Sequence, residues 1–566
     1  MCGIAFILDK NNCLDTSPIE AMLSSMNHRG PDGKRFLLGN FKGSTFYIGH
    51  NTLHVLSDEN SEQQPLNDGS DYLSYNGAIY NYKQLDKNAL TDTDVLFSQL
   101  REKKTNCLAD LHGMFAFVFV SENEVILARD QFGVKPLYYF ENEKYLIVGS
   151  ETKAIFATGL VEKMINSGQA KYFLKYKHTA LGKTLFEGIK ELLPQSYLTY
   201  SDKCLEETIY KIPAITVVGS LKDVLLNSVE TQLQSKDKQV GLMLSGGIDS
   251  TLLLAMIRRE LGLKNFPVFS TIASGMQDAS YSRKASDLYD AEYHHVSVGE
   301  EDVEQLLKIF HPDEEPIADM ASLNTILLSE QANNQDVSVL LSGAGADELF
   351  IGYNRHRAYF KYLSNRNVPY SAFQYLPFGG TDIVRKLKKL GKSIDKDPIQ
   401  TYLNFVGLQW DINTPSNTIE QPENLMNWAL NQDTQNYLVK DILAMTDKMS
   451  MLHGIETRVP YLDTVLYQYA REQSASTHLQ KGTKTLLKEL LTSYGGEVFC
   501  QRKKEGFGFS FRNYVKKDWF DIEASHQIFL YLEYEHFRDI VSYHFSGQED
   551  YSQELVAFLI LKNVFL

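Results

Sequence analysis

Cysteine is scarce in this chain: five in 566 residues, at positions 2, 13, 107, 204 and 500, with no Cys-x-x-Cys pair. An odd, scattered set of thiols argues against a disulfide framework and a structural zinc site, and it predicts a reducing compartment, the cytoplasm. Long apolar runs are also missing. No stretch approaches the ~20 residues a membrane helix needs, and the N-terminus lacks a basic region followed by an apolar signal core, so neither membrane insertion nor secretion is expected. A positive excess is absent as well. The 56 Lys and Arg against 71 Asp and Glu give a formal charge of -15, which disfavours a nucleic-acid or general polyanion partner, although Arg502, Lys503 and Lys504 form a candidate local basic patch. There is no internal repeat and no long low-complexity segment. What the absences leave is small-molecule chemistry, in a chain that is 43% hydrophobic and long enough for two to four domains.

Up to about Tyr200 the chain is a series of short strand-like runs, among them "CGIAFIL", "STFYIGH", "DYLSYNGAIY", "GMFAFVFV" and "SYLTYS", punctuated by Gly, Asn and Asp. Helical spacing appears only around Pro18 to Met26 and Thr93 to Arg101. This reads as an α+β domain of packed antiparallel sheets over residues 1–203. Polar residues from Cys204, followed by "KIPAI", read as a linker. From residue 217 to 566 the grammar changes: a helical "SLKDVLLNSVETQLQ", a buried strand "QVGLMLSGGIDS" running into a Gly turn, a helix "TLLLAMIRRELG", then the strand "FPVFSTI". Strand, Gly loop, helix and strand are the pattern of a doubly wound parallel sheet, here continued by a mostly helical C-terminal part.

Three local patterns carry chemistry. Cys2 becomes the first residue if Met1 is removed. It then bears a thiol and an α-amine titrating near ~8, a nucleophile with its own base; the other reading is a small hydrophobe that opens a buried strand. In Ser245-Gly246-Gly247-Ile248-Asp249-Ser250, backbone N–H groups and a helix N-terminus converge on an anion, with Ser245 and Ser250 adding hydroxyl donors. The loop lacks the lysine and spacing of GxxxxGK[ST]. The loop resembles the pyrophosphate loop of enzymes that adenylate a substrate, which implies that Asp249 holds Mg²⁺ against the phosphates. A second buried strand ends in "LLSGAGADELFIGY", whose Gly343 and Gly345 permit close approach of a ligand ahead of Asp347 and Glu348.

With "MCGIAF", "HRGPDG", "YNGAIYNY", "ARDQFGVKPLYYF", "LSGGIDS", "SGAGADELFIGY", "YLVKDILAMTDKMSM", "ETRVPYLD" and "KGTKTLLK" in this order, the chain resembles the glutamine-dependent asparagine synthetases over nearly its whole length. The resemblance implies an N-terminal Ntn-hydrolase domain, a four-layer αββα sandwich, and a C-terminal domain like the adenine nucleotide α-hydrolases. It implies that Cys2 attacks the glutamine amide, that Asn76 and Gly77 form the oxyanion hole, and that Asp92 binds the glutamine α-amine. In the second half it implies ATP and Mg²⁺, adenylation of aspartate, and attack by ammonia delivered through an internal tunnel. Lys484 matches the cation serving the phosphates, Asp347 a second metal or loop-supporting carboxylate, and Leu244, Thr271, Ser342 and Gly343 the adenosine pocket, with Ser270 as the alternative to Thr271. Relatives often form homodimers, which the resemblance implies as an option here.

Four positions depart from the pattern. Thr52 stands where the family carries an arginine for the glutamine carboxylate, with Arg29 or Lys34 as candidate substitutes, and Ala78 replaces a usual Glu. Ala344 replaces an acidic residue between the two glycines, leaving Glu348 or Asp319 as candidate proton acceptors, and Asn324 replaces a proline. The second reading is therefore an amidotransferase that adenylates and amidates a different carboxylate. Glu456, Arg458 and Asp463 read as a buried structural ion network, and His28, His50, His54, His294 and His295 as structural histidines without metal-ligand spacing.

Overall fold

The computed structural model describes residues 2–55, 63–235, 238–273, 278–376, 382–412, 422–473, 479, 482–502, 512 and 514–565. The first half is two six-stranded antiparallel sheets. Across the first sheet lie Ile189–Glu191, Tyr138–Glu141, Tyr145–Gly149, Gly3–Asp9, Ser44–Thr52 and Gly33–Phe41; across the second lie Cys204–Ile209, Ser196–Ser201, Val125–Arg129, Gly113–Val120, Tyr72–Ile79 and Leu66–Asn67. Alternation of side chains explains the layers. Ile4, Phe6 and Leu8 point between the sheets to meet Ala116, Val118 and Val120, while Ala5 and Ile7 face Ile19, Met22 and Leu23 of the helix Ser17–Ser25. Phe115, Phe117 and Phe119 cover the outer face of the second sheet and pack on Leu96 and Leu100 of the helix Asp92–Lys103. Both sheets are thus buried on two faces, the αββα sandwich expected, and this is why the run GIAFILD reads as almost continuously apolar.

Cys204–Ile209, read as a linker from its polarity, is instead a strand paired residue for residue with Ser196–Ser201. It is an edge strand, largely exposed, and solvent on one side removes the need for an apolar pattern.

The second half holds a five-stranded parallel sheet in the order Glu292–Val298, Pro267–Ala273, Gln239–Met243, Val337–Leu341, Glu456–Arg458. The chain starts in the middle, at Gln239–Met243, and winds outward in both directions. The strand order therefore switches between Gln239–Met243 and Val337–Leu341, and a crevice for ligand is expected beyond the carboxyl ends of those two strands. Both Gly loops leave from there. The remaining C-terminal residues are mostly helical, and 11 of them, Asp433–Leu443, form a π-helix, a winding often found at functional sites.

Candidate active site

Two constellations form, one in each half. In the first, Cys2 is 8% exposed. Its backbone nitrogen, the future α-amine if Met1 is removed, donates to Asn76 Oδ1 at 2.8 Å, and its carbonyl accepts from Arg29 Nε at 3.3 Å. Burial pushes the thiol above its ordinary range, so deprotonation needs a nearby base. With Oδ1 engaged, the Asn76 amide nitrogen Nδ2 is buried with no hydrogen-bond partner, a donor in search of an acceptor. At Gly77 a Cβ would fall 2.1 Å from the carbonyl oxygen of Met114, so only glycine fits where the neighbouring strand crosses. Asp92 stands at the start of a helix fastened by a capping box of Thr91 and Asp94. Its Oδ2 accepts from the Tyr75 hydroxyl (2.7 Å) and the Ile79 N–H (3.0 Å), and burial raises its carboxyl. One strand, Tyr72–Ile79, thereby gathers Asn76, Gly77 and the partners of Asp92.

Thr52 ends the strand Ser44–Thr52, half-buried, and its carbonyl accepts from Asp32 N at 3.0 Å. Of the two cations offered as substitutes at this place, Arg29 is already committed. Arg29 is fully buried between Glu151 (2.9 Å) and Asp447 (2.8 Å); with its charge matched twice it holds the two halves together. Lys34 is exposed and reaches Ser24 Oγ at 3.3 Å.

The second constellation lies at the switch point. Gly246 adopts a left-handed φ of +69°, and a Cβ there would sit 2.5 Å from the Ser282 nitrogen. The Ser245 and Ser250 hydroxyls meet at 3.1 Å, and Ser245 Oγ accepts from Gly247 N at 3.2 Å. The second loop presses against the first, for a Cβ on Gly343 would stand 3.1 Å from that of Asp249. Lys484 lies between the two acids, 2.5 Å from Asp249 Oδ2 and 2.7 Å from Asp347 Oδ1, and is 5% exposed. Burial works against its charge, yet the two carboxylates raise its ammonium above the ordinary range. Gly352 makes room for this contact, since a Cβ there would collide with Asp347 Oδ1 at 1.8 Å.

A cavity of about 160 Å³ brings Ser245, Asp249, Ser250, Ser342, Gly343 and Asp347 together with Ala344 and Glu348. Of the expected adenosine contacts, Leu244 is fully buried in the core, and neither it, Gly246, Gly247 nor Thr271 lines that cavity. Ser270 points away, its hydroxyl 2.8 Å from that of Ser282. A larger cavity of about 260 Å³ lies beside Glu348–Ile351, lined by Phe360, Met426 and Arg471; it has neither Gly loop nor nucleophile.

The two candidate proton acceptors separate. Asp319 is held by Lys177 at 2.8 Å; burial pushes its carboxyl up, but Lys177 draws it below the ordinary range, and it does not line the cavity. Glu348 does line it. Its carboxyl accepts from the Tyr353 hydroxyl at 2.5 Å and is pushed up to about 7 by burial and by Asp347. Asn324 is buried and off the cavity wall, while its neighbours Ala321 and Thr325 are on it.

Glu456 and Arg458 form the buried pair expected, at 2.7 Å; burial opposes ionisation, but Arg458 holds Glu456 down to about 2. Asp463 is not part of that pair. It caps the helix Thr464–Glu472, accepting from Val465 N and Leu466 N. Among the described residues no cluster of three metal-ligating side chains occurs, and His50 and His28 are engaged by Ser74 and Glu151. Read as part of a candidate local basic patch, Arg502 brings Nη1 to 3.3 Å from the Ser245 carbonyl, beside the first Gly loop; Lys503 and Lys504 lie outside the described residues.

Residues 220–565 match the family model described as asparagine synthase, and residues 1–211 match that of a glutamine amidotransferase domain. The chain belongs to the asparagine synthase family. It is 27% identical to asparagine synthetase (glutamine-hydrolyzing) 1 of Bacillus subtilis (strain 168), across 99% of this chain and 96% of that one. It is also 24% identical to amidase chry2 of Gibberella zeae, across 90% of this chain and 89% of the relative. As a family member it is a glutamine-hydrolysing, ATP-dependent ligase. Among the described residues no helix is long and apolar enough to cross a membrane.

Proposed function

We propose that residues 1–203 release ammonia from glutamine at Cys2 and that residues 217–566 activate a carboxylate with ATP and amidate it. The observation that carries the second half of this reading is the Lys484 ammonium held between Asp249 and Asp347 where the two Gly loops meet. Synthesis of asparagine from aspartate is the reading that family membership supports. Amidation of another carboxylate is the second reading, favoured by Ala344 in the cavity wall.

Cys2 Sγ attacks the side-chain amide carbon of glutamine, with the Cys2 amine taking the thiol proton. Asn76 Nδ2 and the Gly77 N–H receive the oxyanion, Asp92 holds the substrate ammonium, and the half-buried Thr52 borders the carboxylate end. Ammonia leaves, and water then hydrolyses the thioester to glutamate. Ala78 and Met114, beside Gly77, share one apolar cluster with Val459, Leu462 and Ala344, so the region between the sites is of the apolar kind that transfer of neutral ammonia would need. In the second site an oxygen of the acceptor carboxylate bonds to the α-phosphorus of ATP and pyrophosphate departs. Ammonia then attacks the acyl carbon, AMP departs, and the proton lost from nitrogen passes to Glu348, whose carboxyl near 7 suits a proton acceptor.

Ser342 and Gly343 border the adenosine; Ser245, Gly246, Gly247, Ser250 and Lys484 meet the phosphates. Two carboxylates converging on one positive charge are hard oxygen donors of the kind Mg²⁺ takes together with phosphate oxygens, so Asp249 and Asp347 fit that ion. When bound, Mg²⁺ neutralises charge on the departing pyrophosphate. Five cysteines, all free, support placement in the cytoplasm.

The test is mass spectrometry of the full chain with ATP, Mg²⁺ and a panel of carboxylic acids that includes aspartate, once with glutamine and once with an ammonium salt. Glutamate, AMP and the amide of one acid are expected. Cys2→Ala should lose glutamate formation by at least ~10³-fold and keep the ammonium-driven reaction. Absence of glutamate with the unaltered chain would overturn the reading.

A further inference from the structure

We propose that the acid amidated at the second site carries its reacting carboxylate on an uncharged body, without the second carboxylate and ammonium of aspartate. The inference rests on the adenylating role proposed above for the cavity between the Gly loops.

The lining of that cavity is of two kinds. The loops present serine hydroxyls with Asp249 and Asp347. Ala344, within the second loop, and Met243, Ala321, Ile442 and Met445 add an apolar part to the lining, with Tyr353 and Thr446 as uncharged polar residues beside them. Thr325 lies among them, but its hydroxyl already reaches the Ala321 carbonyl at 3.1 Å and the Met445 sulfur at 3.3 Å.

Among the described residues no lysine or arginine lines the cavity, whereas three carboxylates do: Asp249, Asp347 and Glu348. Arg502 reaches the Ser245 carbonyl and stands over the Tyr281 ring, and four other cations have acidic partners. Lys484 is shared by Asp249 and Asp347, Lys177 by Asp319 and Asp441, Arg355 pairs with Asp433, and Lys448 with Glu314. Glu348, the one acid away from Lys484, is engaged by Tyr353.

The charge on the reacting carboxylate is dispersed by transfer to phosphorus. A second carboxylate has no such outlet. Carried into this cavity it would lose its water and, among the described lining residues, meet no lysine or arginine, with Glu348 of its own sign beside it. An uncharged body meets the apolar part of the lining without that penalty, as apolar-lined sites favour.

Adenylation joins the acid to the α-phosphorus and releases pyrophosphate, so exchange of labelled pyrophosphate into ATP reads this step without ammonia. The full chain is assayed with Mg²⁺ and, separately and at equal concentration, L-aspartate, hexanoate, phenylacetate and D-glucuronate. At least one of the three acids with an uncharged body should drive exchange tenfold or more above L-aspartate. Exchange with L-aspartate equal to or above the others overturns the inference and leaves the adenylation reading standing. No exchange with any of the four overturns both, while glutamate release, measured in parallel, reports on the first half independently.

Discussion

The two sites are built in opposite ways. Around Cys2 the polar contacts are hydrogen bonds offered by one strand and a helix start, and the nearest cation, Arg29, is committed to Glu151 and Asp447. At the switch point, loops bring two carboxylates, Asp249 and Asp347, each within 2.7 Å of the Lys484 ammonium. The first arrangement suits a neutral amide whose charge develops only on an oxyanion, which two fixed N–H donors can receive. The second suits a polyanion, where preplaced positive charge must be present before the ligand arrives. The contrast indicates that damage to the first site acts through geometry, and damage to the second through charge.

The largest break in this comparison is Lys484→Met. It leaves Asp249 and Asp347 as facing like charges and should lower ammonium-driven AMP formation by ~10²- to 10³-fold, with glutamate release unchanged; equal loss of both activities would mean that the lysine serves the fold. Glu348→Gln comes next and separates function from stability. The folded chain keeps a proton on this carboxyl up to about 7, whereas the ordinary value is 4.5. Between those values the folded state binds more protons than the unfolded one, so stability falls as pH rises. The variant lacks this slope. It should match the unaltered chain at pH 4 and exceed it by up to ~3 kcal/mol at pH 8 in urea titrations, while ammonium-driven amide formation drops ~10²-fold. A variant with full activity would remove Glu348 as the proton acceptor. The smallest effect sharpens the first site: Thr52→Arg supplies a cation there and should lower the KM for glutamine by ~10-fold or more with kcat unchanged. No change in KM would place the glutamine carboxylate elsewhere.

Much of the architecture was legible because its signals are local. A run such as QVGLM followed by a Gly turn and an apolar helix can hardly be anything but the start of a parallel unit, and the strand Tyr72–Ile79 carries Asn76 and Gly77 in plain view. Cys204–Ile209 was not legible, because an exposed edge strand needs no apolar alternation. Nor was Glu292–Val298, whose EYHHVSV pattern is mixed: Phe269 stacks on His294 with centroids 5.1 Å apart, so histidine does there what an aliphatic residue would do elsewhere. Arg502 looked like part of a surface patch because nothing in its neighbourhood of the chain reveals the Ser245 carbonyl.

By itself the sequence determined the two folds, the order of the halves and the reactive groups available, since side-chain period, glycine-dependent turns and helix caps act over a few residues. Only the tertiary structure decided which of those groups are free to act. Arg29 is removed from the glutamine site by Asp447, 418 positions away, and Lys484 is drawn to Asp249 across 235. Asp319 is silenced by Lys177 and Glu348 is left with its carboxyl near 7. A charge is set by what surrounds it once water has been excluded, and those surroundings come from every part of the chain.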